Sequence, residues 1–390
     1  MQAPAGVRAV RWWLLAAFTL LVAATQVLWI SYAAVTGPAA RAFGVSEGAV
    51  GDLAGIEPLV YVLLAIPTGR WLDRRFGPAL ATGALLTAGG ALVRAGAPTT
   101  YAVVLAGQLA VAVGQPLVLN ATTKVAVRWF PAGERATAIS VASAGQFVGI
   151  LLAATTGAPL FDAGGLALLS GVYAAVAVAG AVAVLLALRV PPAFAADAAS
   201  DTGALRGVWR DPLLRRLAVL LFVGVGLFNA VATWLDPVLA DLGYPGAGGN
   251  LVALMTVAGI VGAAVLPGVA ARRDRRHTML VVVTGYTVVA FMLLSVVHPL
   301  WLVVVVLAGE GFLLLAALPV ALDWSELESG PGRAATATAF LLLAGNLGGA
   351  VLVVLVQLLL GSPSLALAAL GLAAVPGVLV ATRLPRTAPG

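Results

Sequence analysis

Apolar stretches of about twenty residues, each closed by a short polar or basic turn, recur from one end of the sequence to the other. Crossing about 30 Å of hydrocarbon takes roughly 20 helical residues. Twelve stretches meet that length: Trp12 to Val35, Val50 to Gly69, Pro78 to Ala95, Thr100 to Val127, Ala136 to Leu160, Leu166 to Leu188, Leu214 to Ala240, Asn250 to Ala271, Met279 to Val297, Leu300 to Leu322, Ala334 to Leu360 and Ser364 to Thr382. Strands of a membrane barrel would alternate apolar and polar residues over about ten positions. Runs such as "GLALLSGVYAAVAVAGAVAVLLAL" do not alternate, so the pattern predicts helices. With no water in the bilayer core, each backbone amide must bond within its own helix, and Ala, Leu and Val suit that. The first run has no short apolar core followed by a small-residue cleavage site, and is expected to be retained as a helix.

Composition agrees with the pattern. The chain is 61% hydrophobic and only 10% charged, against roughly 25% charged in soluble domains. The lipid bilayer is therefore its first partner. With no cysteine, disulfides are excluded. Threading twelve spans back and forth puts both termini and alternate loops on one side of the membrane. Arg8, Arg11, the Arg70 cluster, Lys124, Arg128, Arg135, Arg189 to Arg216, Arg272 to Arg276, Arg333, Arg383 and Arg386 all fall there. Only Arg41 and Arg94 lie opposite, which sorts 20 of 22 cations to one face. Lys and Arg excess marks the cytoplasm, so a multi-pass protein of the cytoplasmic membrane with both termini inside is expected. The formal charge of +6 reflects this topology. A nucleic-acid partner would need a basic surface on a folded soluble domain, and no such domain is predicted.

The longest loop on the basic side, "VPPAFAADAASDTGALRGVWRDP", separates spans six and seven. It divides the chain into an N-terminal bundle (1–189), a linker (190–212) and a C-terminal bundle (213–390). The bundles look like duplicates at an offset of 200: Pro67 pairs with Pro267, each before a basic loop, and "AGQFVG" (Ala144 to Gly149) pairs with "AGNLGG" (Ala344 to Gly349). Six helices, a linker and six more, related as parallel repeats, is the plan of the major facilitator transporters. The predicted fold class is an all-α membrane protein of that plan, with twelve spans in two pseudo-symmetric halves.

The loop between spans two and three reads "GRWLDRRFG" (Gly69 to Gly77). It resembles the signature loop of the major facilitator superfamily: Gly69, then Asp73 four residues on, then basic residues and a glycine. Pro78 stands where the family often has a basic residue. The resemblance implies a latch on the cytoplasmic side, with Asp73 as its carboxylate and Arg74, Arg75 and Arg135 as candidate partners. The alternative is a basic loop that serves topology only.

Five further stretches resemble the feline leukaemia virus subgroup C receptor-related branch of that superfamily. They are "TQVLWISYAAV", "VGDLAGIEPLVYVLLAIP", "VRWFPAGERATAISVASAGQFVG", "GLFNAVATWL" and "LPVALDWSELESGPGRAATATAFLLLAGNLGG". Members of that branch carry choline and related amines, with haem and a vitamin also proposed. The resemblance implies a cavity lined by Trp29 of span one and Gln146 of span five. In span eleven Asn346, a shorter amide, stands at the glutamine site.

Polar groups inside hydrocarbon are costly and tend to face a cavity. Gln26 and Trp29 share a face of span one, and Trp29 stands opposite Asn229 of span seven at the 200-residue offset. Gln115, Gln146 and Asn346 are further candidates for contact with cargo, or alternatively glue between helices. Trp29 can alternatively belong to the interfacial aromatic belt. Glu57 and Glu310 can carry a proton as coupling ion, pair with a cationic substrate, or stay bonded to a neighbouring carbonyl. An aromatic face, amides and carboxylates suit a small cation, and also many amphiphilic drugs.

No G-x-x-x-x-G-K-[ST] loop for ATP occurs, and neither His277 nor His298 has a second ligand at metal spacing. No cofactor is expected. No nucleophile with a base is found at an interface, so an enzyme is not expected. The reading is a monomeric secondary transporter of a small organic solute, best a choline-like amine, working by alternating access. Proton-coupled efflux of amphiphiles, haem or vitamin transport, and a non-transporting membrane receptor are the alternatives.

Overall fold

A computed structural model describes residues 5–194 and 204–386. The middle of the expected linker (195–203) and the last four residues lie outside the described residues, as do the side chains of residues 5–10, Arg8 among them, and 204–206. Among the described residues there is no strand. The helices are α1 (Ala5–Trp29), α2 (Thr36–Phe43), α3 (Glu47–Arg74), α4 (Phe76–Gly96), α5 (Tyr101–Leu119), α6 (Thr122–Trp129), α7 (Ala132–Ala187), α8 (Ala204–Arg210), α9 (Pro212–Asp241), α10 (Ala247–Arg272), α11 (Arg276–Leu294), α12 (Leu300–Ser329), α13 (Ala334–Gln357) and α14 (Pro363–Ala381).

Eleven helices among the described residues are long and apolar enough to cross a membrane. One of them, the 56-residue α7, contains two spans. It breaks at Gly164 and at Gly165, whose φ of 63° only glycine adopts without strain. Its arms, 132–163 and 166–187, bring the spans to the twelve the pattern predicts. Two expected spans end early. The first stops at Trp29, before a 3₁₀ turn at Ala33–Val35. The fourth stops at Leu119, where Asn120 is drawn into tertiary bonds: Tyr61 donates to its Oδ1 at 2.5 Å, and its Nδ2 donates to Ala65 O and Thr68 Oγ1, each at 3.0 Å.

On α3 the buried residues Leu53, Glu57, Tyr61 and Ala65 fall at successive turns, while Leu59 (69% exposed) and Leu63 (74%) face outward. Apolar side chains can point either way, but the polar Glu57 is turned into the bundle, because hydrocarbon excludes it. Helix ends are capped locally: Ser46 accepts from Ala49 N at 3.2 Å, and Asp211 accepts from Leu213 N and Leu214 N at 2.8 and 3.0 Å ahead of Pro212.

The chain divides into two compact units. The first comprises Met1–Ala132 and Val141–Ser200, the second Gly133–Ser140 and Asp201–Gly390. In the first, α4 packs on α5 through Gly83 and Gly90 against Gly107 and Gly114; a Cβ at Gly90 would sit 2.5 Å from the Gly107 carbonyl oxygen. Small residues let backbones approach where lipid offers no hydrophobic drive. The same helix contact recurs in each unit at the 200-residue offset. Gly145 and Gly149 of α7 lie on Thr19 and Ala23 of α1; Gly345 and Gly348 of α13 lie on Val225 and Phe222 of α9. The first two turns of α7 belong to the second unit, where Arg135 Nη1 meets Glu326 Oε1 of α12 at 3.0 Å.

Candidate functional site

In the first unit the polar candidates gather around the end of α1. Trp29 is half-buried, and its indole Nε1 donates to Ala54 O of α3 at 2.9 Å. Gln26, one turn back and 3% exposed, donates to Thr25 Oγ1 at 3.3 Å and lies against Gly149 of α7. Gln146 is 9% exposed, and its buried Nε2 has no hydrogen-bond partner. Ser143, one turn earlier, is likewise buried with its hydroxyl unpartnered. A buried donor without an acceptor is uncommon in folded proteins and costs roughly 1 to 3 kcal/mol.

Glu57 and Gln115 form one cluster: the amide donates to Glu57 Oε2 at 2.6 Å. Gln108, two turns before Gln115 on α5, reaches Glu57 Oε1 at 3.4 Å and accepts from Arg94 Nη1 at 2.7 Å. Glu57, Gln108 and Arg94 are each 1% exposed. Sequence reasoning missed Gln108 and Arg94. The first was legible in the seven-residue repeat "GQLAVAVGQ", which sets both glutamines on one face; the second was counted only as an exception to the charge sorting.

In the second unit the candidates are more scattered. Asn229 Nδ2 lies against Gly349 of α13, while Asn346 turns its Nδ2 onto Leu342 O of its own helix at 2.9 Å. Both side chains are half-buried. Glu310 is fully buried; Thr287 of α11 donates to its Oε1 at 2.8 Å, and its Oε2 has no partner. A cavity of about 20 Å³ between α9, α11, α12 and α14 is lined by Thr287, Thr284, Leu314 and Ala317. It has room for a single water.

The residues proposed for the latch also have defined places. Gly69 and Asp73 are buried, Arg74 and Arg75 exposed. Lys124 of α6 donates to both the Asp73 carboxylate and the Asp73 carbonyl, each at 2.9 Å. Lys124 was not singled out from the sequence as a partner. In the second unit Arg276 Nε meets Asp323 Oδ2 at 2.6 Å, one turn from the Arg135–Glu326 pair. The two units thus carry one arrangement with its signs reversed: carboxylate in the last turn of α3 and cation on α6 in the first, cation opening α11 and carboxylate near the end of α12 in the second. Among the described residues no group of three or more His, Asp or Glu could hold a metal.

Comparison with known proteins agrees with this architecture. The family model described as Major Facilitator Superfamily matches residues 12–353. Solute carrier family 49 member A3 of Danio rerio is 30% identical over 380 residues, covering 90% of this chain and 78% of that protein. Choline/ethanolamine transporter FLVCR2 of Homo sapiens is 27% identical over 350 residues, covering 81% of this chain and 65% of that protein. The crystal structure of the E. coli Fucose:proton symporter superposes with a TM-score of 0.76 at 16% identity, over 95% of this chain and 97% of that one. That likeness is one of fold.

Proposed function

Since the chain belongs to the Major Facilitator Superfamily and is a membrane transporter, we propose that it moves a small organic cation of the choline and ethanolamine class by alternating access. The observation that carries this reading is the Trp29 indole. Its N–H is committed to Ala54 O at 2.9 Å, which fixes the orientation of the ring. An ammonium over a tryptophan face gains roughly 0.5 to 2 kcal/mol. The unpartnered amide of Gln146 supplies a donor suited to a hydroxyl or ether oxygen; Gln26 and Gln115 are further candidates for cargo contact in the first unit, Asn229 and Asn346 in the second. A relative whose name specifies choline and ethanolamine supports the same class.

The protein works in this reading as a monomer in the cytoplasmic membrane with both termini inside, supported by the sorting of 20 of its 22 cations. Asp73 is the gate carboxylate, with Gly69 one turn before it on the buried side of α3, Arg74 and Arg75 beside it, and Arg135 engaged through Glu326. Proton coupling in this reading runs through Glu310, whose second oxygen has no partner.

The test is a thermal-shift titration of the purified protein with choline and ethanolamine, with haem and a vitamin as comparison ligands, followed by uptake into proteoliposomes. Stabilisation by the amines, lost by about fivefold or more in affinity in Trp29→Ala, is the expected result. Stabilisation by haem or the vitamin alone, or an amine response untouched by Trp29→Ala, overturns the reading.

A further inference from the structure

We propose that Arg94, Gln108 and Glu57 form a positioning device that clamps the end of α1 and thereby holds the Trp29 indole in its cargo-binding orientation. The inference rests on the reading of Trp29 as the cargo-facing aromatic.

The last carbonyls of any helix lack partners within it. At the end of α1 the Leu28 carbonyl accepts from Arg94 Nη1 at 3.0 Å and from Ser31 Oγ at 3.1 Å. Arg94 Nη2 also donates to Ser31 Oγ, and the guanidinium lies 4.9 Å over the Tyr32 ring. A cation here is favoured by the negative end of the helix dipole, and a planar fork reaches two acceptors and a ring at once where a lysine would reach fewer. Three of the partners of Arg94, at residues 28, 31 and 32, therefore span the point where α1 stops.

The other end of the device is on α3. Gln108 takes the same Nη1 at 2.7 Å and passes its own amide to Glu57 at 3.4 Å, while Gln115 fixes the second oxygen of Glu57 at 2.6 Å. Glu57 lies one turn along α3 from Ala54, the acceptor of the Trp29 indole. Adjacent residues of α1 are thus tied to the same stretch of α3 by two routes. Trp29 is tied directly, and Leu28 through Arg94 of α4 and Gln108 of α5. If either route is lost, the indole keeps its neighbours but loses its defined angle. Neutralising a buried arginine would require only an anion nearby; an amide bridge with both of its ends committed adds direction.

The chain has no cysteine, so a single reporter can be placed without removing any other. Ile30→Cys, in the turn after Trp29, is introduced into the parent and into the Arg94→Gln, Arg94→Lys and Gln108→Leu variants in proteoliposomes. Maleimide labelling and choline affinity are measured in each. The expected result is labelling about fivefold faster and choline binding about tenfold weaker in Arg94→Gln and Gln108→Leu, with maximal uptake rate changed less than about twofold, and partial recovery in Arg94→Lys. In a Trp29→Ala background Arg94→Gln should add no further loss of affinity. Unchanged labelling in both Arg94→Gln and Gln108→Leu, or an affinity loss that adds in full to that of Trp29→Ala, overturns the proposal. If the parent itself does not bind choline, the cargo reading fails by itself and the labelling comparison still decides the clamp. If Arg94→Gln does not fold, Gln108→Leu, which leaves every charge in place, decides it.

Discussion

Lys124 offers the sharpest test of the energetics. Its ammonium is enclosed with the Asp73 carboxylate, the two side chains being 1% and 2% exposed, and it makes two bonds of 2.9 Å, to Oδ1 and to the carbonyl of the same residue. Lys124→Met keeps the aliphatic stem and removes the charge. Taking away one partner of a buried pair costs about 3 to 5 kcal/mol, because the remaining charge stays desolvated, whereas replacing both is often nearly neutral. A kcal/mol moves the melting temperature by roughly 2 to 4 °C in domains of 150 to 250 residues, and by less in a longer chain. Lys124→Met and Asp73→Asn should therefore each lower the transition by about 5 °C. The double variant should lie well above the sum of the two losses, with a coupling of about 2 kcal/mol. The assay is thermal unfolding in one detergent at one scan rate, since unfolding of such proteins is commonly irreversible and only ranked values compare. Strict additivity of the two substitutions, or a Lys124→Met transition within a degree of the parent, would refute the reasoning. On the proposed gate role of Asp73, at the end of α3, Asp73→Asn should also raise labelling of a single cysteine introduced beside it and slow uptake while leaving cargo affinity intact.

Gly90→Val should be a strongly damaging small substitution in the first unit. A Cβ there meets the Gly107 carbonyl oxygen at 2.5 Å, a backbone atom that cannot turn aside, so α4 and α5 must separate at a cost of about 1 to 3 kcal/mol or more; yield and melting temperature read the loss, and a parent-like value counts against this packing. Glu310→Gln preserves the bond from Thr287, seen at 2.8 Å to Oε1, but cannot exchange a proton. Uptake driven by a pH gradient should fall to the level without a gradient while binding persists, and an unchanged response to the gradient removes Glu310 from coupling.

Much of the fold was legible because the bilayer imposes one rule on every span. A run long enough to cross and apolar enough to stay determines helix, length and, through the sorting of basic residues, the count. The same logic found Glu57, Glu310, Gln115 and Gln146, since a polar residue in such a run stands out. The breaks after Trp29 and Leu119 were hidden, because apolar character continues through both and only tertiary partners of Ser31, Arg94 and Asn120 interrupt the helix. Gly145 and Gly149 pack closely on Thr19 and Ala23; which helix they meet is not in the sequence pattern.

Pairing was beyond the sequence for a simple reason. Hydropathy is a property of each residue alone, and it settled the membrane, the twelve spans and the superfamily plan. A hydrogen bond or ion pair depends on the distance between two atoms that may lie 50 residues apart, as with Asp73 and Lys124, where |i−j| is 51. Packing of α3, α4 and α5 decided that Glu57 would meet Gln115 and Gln108, that Arg94 would turn inward to the end of α1, and that Trp29 would hang from Ala54. Those distances are set by glycine contacts and helix crossings, which exist only once the bundle has formed.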